Sequence, residues 1–361
     1  MLSDSELSVV VQGGISKYTL KSLKRIREFL PNSEIILSTW KDTDISFLSG
    51  YYDLVVFSDM PEAFDYGNGS LNNLNRQLIS TQKGIELSKR KYVLKLRSDL
   101  VLKNNKILNI SDTYKRNNDL LLFKKRIIVG NIFSLKFTTN GKEKNFMPFQ
   151  ISDWFFLGLK EDIKKLFDIP IAKEPDNTYY FKKHTYDKNK YCHFKNLTWR
   201  YTAEQYIQYM CVSKYFSISF KHMMDYNKKN IEFSEKYVVN NFLILDKKKT
   251  GIEILKEPYK SYNYLMDGVV RNSMYDDYIW QSDYKKYIDP EFKISKYVKI
   301  KHKLKLEKCF IKFIENVDKL KISINNFFRI FFDPAKYFFK ALKGLFKILF
   351  RFFVLLFEKD K

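Results

Sequence analysis

Cysteine and histidine are scarce in this 361-residue chain, and each shortage excludes a class of protein. The three cysteines, Cys192, Cys211 and Cys309, stand far apart with no CxxC pair. A zinc site or a disulfide framework is therefore not expected, and a reducing compartment is. Neither GxGxxG nor a P-loop occurs, so dinucleotide-binding and P-loop NTPase readings lose their fingerprint. No stretch of about 18 uninterrupted apolar residues exists, so no ordinary membrane span is expected. The polar, acidic start, Met1 to Glu6, has no basic segment followed by an apolar one, so no signal peptide is expected. Arginine is also sparse: only 11 of the 64 basic residues are Arg.

What is present is apolar and basic. Hydrophobic residues make up 45% and charged residues 29%, the balance of a globular chain and not a disordered one. The net charge of +23 predicts an anionic partner: nucleic acid, acidic lipid or a phosphorylated ligand. Abundant Lys, Asn, Ile, Tyr and Phe point to a compositional bias that accounts for part of that excess. The length suits two domains or one domain with an appendage.

Along the chain, residues 7–13 (LSVVVQG) read as a buried strand that runs into Gly13-Gly14. Residues 17–30 place Leu20, Leu23, Ile26 and Leu30 at helical spacing, and Pro31-Asn32 stops that helix. Residues 34–40 and 53–59 are further strands, 72–89 a helix, and 91–102 a fourth strand. This succession predicts an α/β domain with a mostly parallel sheet. Residues 120–136 and 149–160 read as more strands, 173–200 as loop and 202–215 as helix. The pattern from 234 to 300 is weak. We divide the chain into a domain over 1–300 and a tail over 301–361.

In open parallel sheets ligands bind at the carboxyl ends of the strands. Four predicted strands end in Gln12-Gly13-Gly14, Thr39-Trp40, Ser58-Asp59 and Arg97-Ser98-Asp99. We take Gln12, Gly13, Thr39, Trp40, Asp59, Arg97, Ser98 and Asp99 as candidate ligand contacts. Gly13 lets the backbone approach a phosphate closely. Arg97 can pair with phosphate in a bidentate fork. Asp99 can hold a divalent cation, Mn²⁺ or Mg²⁺, against a diphosphate. Arg76 and Gln77 lie in the first turns of the 72–89 helix, where the helix N-terminus favours an anion. The literal Asp-x-Asp at Asp42-Thr43-Asp44 follows the second strand and reads as a solvated turn. His222, at Lys221-His222, is a candidate metal ligand. Each of these residues also has a structural explanation, as turn, cap, ion pair or core.

The ordered set Val9-Val10-Val11-Gln12-Gly13, Leu37-Ser38-Thr39-Trp40, Asn73-Leu74-Asn75-Arg76-Gln77 and Lys95-Leu96-Arg97-Ser98-Asp99 resembles the WavE lipopolysaccharide-synthesis family. Ser152-Asp153-Trp154-Phe155-Phe156-Leu157-Gly158 and Ala203-Glu204-Gln205-Tyr206 extend the resemblance over roughly residues 8–225. The resemblance implies a GT-A-like, hexosyltransferase-like enzyme acting in assembly of bacterial surface glycans. It implies a nucleotide-sugar donor and a glycan or glycolipid acceptor. GT-A enzymes carry a metal-binding Asp-x-Asp after a central strand, and Arg97 stands where the first Asp would be. Only Asp99 carries over as a metal ligand. The acceptor side needs a base, and Asp153 and Glu204 are the candidates, with Glu204 at the start of a predicted helix behind Thr202.

The tail turns basic and aromatic. In residues 335–357 the side chains of Lys336, Lys340, Lys343, Lys347 and Arg351 fall within an arc of about 80° on a helix. Phe, Leu, Ile and Val fill the rest, the pattern of amphipathic helices lying in a membrane interface. A less regular segment, 304–332, precedes it. The expectation is a cytoplasmic protein, peripheral on the inner face of the membrane through an anionic lipid surface. Two other readings remain at this point: a nucleic-acid-binding protein, although no nucleic-acid motif is present and no nucleic acid is expected, and a sugar-phosphate nucleotidyltransferase.

Overall fold

The computed structural model describes residues 2–66, 69–139, 144–185, 198–255 and 274–306, the side chains of 304–306 apart. The chain divides into two compact units, Met1–Phe292 and Lys293–Lys361. The strands are β1 (Leu7–Gln12), β2 (Glu34–Trp40), β3 (Leu54–Ser58), β4 (Phe64–Asp65), β5 (Leu71–Asn72), β6 (Tyr92–Arg97), β7 (Leu100–Leu102), β8 (Ile127–Gly130), β9 (Phe137–Thr139), β10 (Lys144–Phe146), β11 (Phe155–Leu159), β12 (Phe242–Leu245) and β13 (Ile252–Ile254). The helices are α1 (Thr19–Phe29), α2 (Leu74–Leu87), α3 (Lys160–Phe167), α4 (Tyr180–Lys183), α5 (Ala203–Val212), α6 (Lys228–Asn241), α7 (Lys247–Thr250), α8 (Asp277–Tyr287) and α9 (Lys296–Leu306).

Seven strands form one sheet in the order β12-β8-β11-β6-β1-β2-β3. Six run in one direction, and β11 alone runs against its neighbours β6 and β8. This is the α/β class with a mostly parallel sheet that the sequence led us to expect.

Both faces of the sheet are covered, which is why its central strands are continuous apolar runs and not alternating ones. Val9 and Val11 of β1 pack with Leu23 and Ile26 of α1, while Val10 between them packs with Leu74, Leu78 and Ile85 of α2. Gly84 is required by that second layer, because a Cβ there would lie 2.3 Å from a methyl carbon of Val10. Serine side chains tie α2 to the strand ends. Ser38 Oγ donates to the Ser80 carbonyl at 2.6 Å, and Ser80 Oγ donates to Gln12 Oε1 at 2.7 Å.

The structure corrects several boundaries. The strand expected over 91–102 is broken at Ser98-Asp99, and β7 leaves the sheet to pair with β13. Of 120–136 only β8 is strand, and of 149–160 only β11. The expected loop 173–200 contains α4. The weak region 234–300 contains the end of α6, β12, α7, β13 and α8 among its described residues. Segment 335–357 lies outside the described residues, as do Cys192 and Cys309 and nearly all of 304–332. Among the described residues no helix is long and apolar enough to cross a membrane.

Candidate active site

Parallel strands deliver their carboxyl ends to one rim, and an antiparallel strand begins where its neighbours end. The rim therefore gathers the ends of β1, β2 and β6 together with Ser152-Asp153-Trp154, which leads into β11. Gly13 closes β1 with φ +109°, a conformation that favours glycine, and its N–H donates to the Ser38 carbonyl. Ser98 Oγ donates to the Gly14 carbonyl at 2.7 Å and its N–H to the Gln12 carbonyl. The indole of Trp40 stands over Gly14, where a Cβ would meet its Nε1 at 3.7 Å.

Arg97 ends β6, and Asp99 lies two residues on, in the turn that follows. Arg97 Nε donates to Asp99 Oδ1 at 3.1 Å, and its terminal nitrogen donates to Oδ2 at 2.7 Å. The same guanidinium lies 5.3 Å from the centre of the Trp154 ring. Two residues earlier on the same face, Lys95 is 0% exposed, the least expected place for an ammonium group. Its Nζ donates to the Asp153 carbonyl at 2.5 Å and stands 5.6 Å from the Phe156 ring centre. Burial pushes the Lys95 pKa down to about 7, against the opposing pull of the Asp153 charge. Gln77 Nε2 donates to that same carbonyl at 3.1 Å. The backbone of Asp153 is thus held from both β6 and α2.

Beside Asp153 stands Glu204 in the first turn of α5. That helix start is fixed by a capping box: Gln205 N–H donates to Thr202 Oγ1, and Thr202 N–H donates back to the Gln205 side chain. Thr202 Oγ1 also donates to Gln150 Oε1 at 2.6 Å. Glu204 keeps some contact with solvent as a residue, but its carboxyl is crowded. Burial pushes that carboxyl up to about 8, and the charge of Asp153 adds to the rise. Hydrogen bonds from its own backbone, Gln150 and Thr202 oppose it. Burial and the charges of Glu204, Glu174 and Asp153 keep the nearby Tyr66 phenol neutral.

The expected residues divide on this geometry. Gln12, Gly13, Trp40, Gln77, Arg97, Ser98, Asp99, Asp153 and Glu204 converge at or just beneath the rim. Thr39 does not present itself, being 0% exposed with its hydroxyl buried and unpartnered. Asp59 is corrected to an exposed ion pair with Lys41, 2.8 Å long, its side chain 87% exposed. Arg76 is corrected to a brace, its Nε donating to the Pro61 carbonyl at 3.0 Å and a terminal nitrogen to Asn73 Oδ1. At the start of α2, Asn72 Oδ1 accepts from Leu74 N–H. Asp44 accepts from Ser46 N–H, so Asp42-Thr43-Asp44 is the solvated turn expected of it. Lys95 and Tyr66 were missed by sequence reasoning. Lys95 carried a signal, a charge inside the apolar run Val93-Leu94-Lys95-Leu96. Tyr66 carried none.

The donor set does not fit a resident divalent cation as it stands. Both Asp99 oxygens face the guanidinium of Arg97. His222 is in a different cluster, with Tyr180, Phe181 and His184, and its Nδ1 accepts from Met224 N–H. Among the described residues no three His, Cys, Asp or Glu side chains group to hold a metal. A small cavity of about 20 Å³ borders the rim at Ser152 and Trp154. A concavity of about 330 Å³ beside β12, next to Tyr114 and Trp280, shares no lining residue with the rim. Another of about 590 Å³, beside Lys228 and Lys236, shares none either.

No curated protein matches the chain. Among solved structures it is similar to a mutant Drosophila β-1,4-galactosyltransferase 7 in complex with manganese, UDP-Gal and xylobiose. That likeness has 12% identity and a TM-score of 0.23, and covers 44% of this chain. The chain matches only about half, 51%, of the length of that structure. The sequence profile of the WavE lipopolysaccharide synthesis family matches residues 7–311. A match over that much of the chain settles its kinship: the protein belongs to the WavE lipopolysaccharide synthesis family.

Proposed function

We propose that this glycosyltransferase of the WavE family moves a sugar from a nucleotide-sugar donor to a growing lipopolysaccharide or other cell-surface glycan. The observation that carries this reading is one rim holding a glycine-lined basic segment beside a pair of carboxylates. The diphosphate of the donor would lie along Gly13 and Gly14, where the backbone leaves room, with Arg97 as its cationic partner. Asp99 holds the guanidinium in place for that role. The acceptor hydroxyl would approach Asp153 and Glu204.

For a single displacement with inversion, Glu204 or Asp153 takes the proton from the acceptor hydroxyl. The acceptor oxygen forms its bond to the anomeric carbon as the bond from that carbon to the phosphate oxygen breaks. The nucleoside diphosphate leaves with the electron pair, and its added negative charge falls beside Arg97 and above Lys95. A carboxyl whose pKa is raised toward the working pH is a stronger base than an ordinary one. Charge neutralisation would run through the guanidinium, and the assay with and without Mn²⁺ or Mg²⁺ decides whether a divalent cation takes part as well.

The test is turnover of a panel of UDP-, GDP-, CMP- and ADP-sugars by the purified protein, with and without Mn²⁺ or Mg²⁺. One donor is expected to be hydrolysed or transferred and to raise the melting temperature. If none is turned over and none stabilises the fold, the reading fails.

We extend the proposal to location. The five basic residues of 335–357, which a helix would place on one stripe, would suit an anionic inner membrane surface, each contributing roughly 1 kcal/mol there. Co-sedimentation with anionic vesicles should fall on deletion of residues 334–361. Equal sedimentation of the two proteins would remove this part of the proposal.

A further inference from the structure

The charge on the rim is segregated, and the acidic part carries aromatic rings. Tyr66, in the hairpin between β4 and β5, packs against Trp199 with ring centres 4.6 Å apart and planes tilted by 53°. Both residues are half-buried. Tyr66 lies within the field of three carboxylates, Glu204, Glu174 and Asp153. Separate anchors hold this arrangement. Asn72, at the foot of the hairpin, donates to Glu174 Oε1 at 3.1 Å and to Thr178 Oγ1 at 2.8 Å. Arg76 fastens the approach to the hairpin through the Pro61 carbonyl.

Such a surface selects its ligand by charge and by shape. An acidic cluster with no cation beside it is a poor place for a diphosphate, which belongs on the Arg97 side of the rim. A sugar ring has an apolar C–H face and a periphery of hydroxyl donors. The first suits aromatic rings, and the second suits carboxylates that accept hydrogen bonds. We propose that Tyr66 and Trp199 form the seat for the terminal sugar ring of an uncharged acceptor glycan, with its reacting hydroxyl directed to Glu204 and Asp153. This rests on the glycosyltransferase reading, but a sugar seat can be measured without any transfer.

The experiment uses the full-length protein and a panel of methyl glycosides of glucose, galactose and N-acetylglucosamine, alone and as short oligosaccharides. Binding is read by saturation-transfer NMR, with binding of UDP, GDP and CMP measured in parallel. The parent should bind at least one glycoside. Trp199→Ala should weaken that binding tenfold or more and leave nucleotide binding within twofold. Trp199→Phe keeps a ring and should retain most of the affinity, which separates a lost seat from a lost fold. Unchanged glycoside binding in Trp199→Ala, or no binding by the parent across the panel, overturns the proposal. Glycoside binding that depends on Trp199 while no nucleotide binds would keep the seat and sink the transferase reading.

Discussion

The two halves of the rim solve opposite electrostatic problems. On the side of Arg97, cation and anion are already matched: guanidinium and carboxylate grip each other in a bidentate pair. On the side of Glu204, two carboxylates stand near each other, and neither makes an ion pair among the described residues. Lys95 lies between, with its charge buried and its donor turned to a backbone carbonyl. The first half is prepared to receive charge. The second is prepared to exchange a proton, because like charge and burial both raise the affinity of Glu204 for it. On the proposed reading, one rim would carry two chemistries, drawn from distant parts of the chain.

The sharpest way to break the comparison is Glu204→Gln. Loss of a positioned base should lower transfer by about 10²- to 10⁴-fold while donor binding stays unchanged. In the parent, transfer should rise with pH through about 8, because the ionised carboxylate is the active form; the variant should lose that rise. Stability runs the other way. The folded carboxyl keeps its proton above the ordinary value of 4.5, so the folded state holds more protons than the unfolded one between about 4.5 and 8. Parent stability attributable to this group should therefore fall across that window, and Glu204→Gln should flatten the fall in urea titrations. A transfer rate that stays high in the variant would move the base to Asp153.

Arg97→Ala tests the other half. It removes the cation and leaves Asp99 without its partner, so transfer should fall about 10²-fold or more, with donor affinity falling too. Isothermal titration with the donor decides whether the loss lies in binding. A variant with parent affinity would take the diphosphate away from this side.

Lys95→Met probes the boundary between the halves. Gln77 would then hold the Asp153 carbonyl alone, and transfer should drop roughly tenfold through misplacement. Lys95 is depressed below its ordinary 10.5, so the unfolded chain binds the extra proton between about 7 and 10.5. The parent should gain stability relative to the variant as pH rises through that window. Urea midpoints at the two ends of the window measure it. Asp59→Ala should do least, within twofold in transfer and within about 1 kcal/mol in stability, since an exposed pair contributes little. A large effect there would extend the basic half to the end of β3.

Much of this was legible in the sequence because periodicity reports burial. β1, β2 and β3 and the helices between them follow from runs of Val, Ile and Leu, and the glycine pair after β1 marked the rim. Asp153 and Glu204 became candidates as members of motifs, and no spacing rule brings residues 153 and 204 near each other. Where the geometry departs from expectation, the sources are physical. Thr39 sits at a strand end, but sequence does not show which face of that strand is covered. Arg76 and Asp59 look like ligand groups, and nearby groups within the fold take them up. Asp99 looks like a metal ligand until its neighbour two residues back is seen to turn onto it.

The reversed direction of β11 has a consequence for synthesis. Everything on the basic side, from Gly13 to Asp99, leaves the ribosome before the segment that leads into β11 and well before Glu204. The carboxylates arrive only when a strand is threaded backwards between β6 and β8. A nascent chain at that stage bears the cationic edge without its acidic counterweight, with the backbone edge of β6 still unpaired. The gap that β11 fills is therefore the place where a half-made chain is most exposed to wrong strand pairing, and where a chaperone would have most to cover.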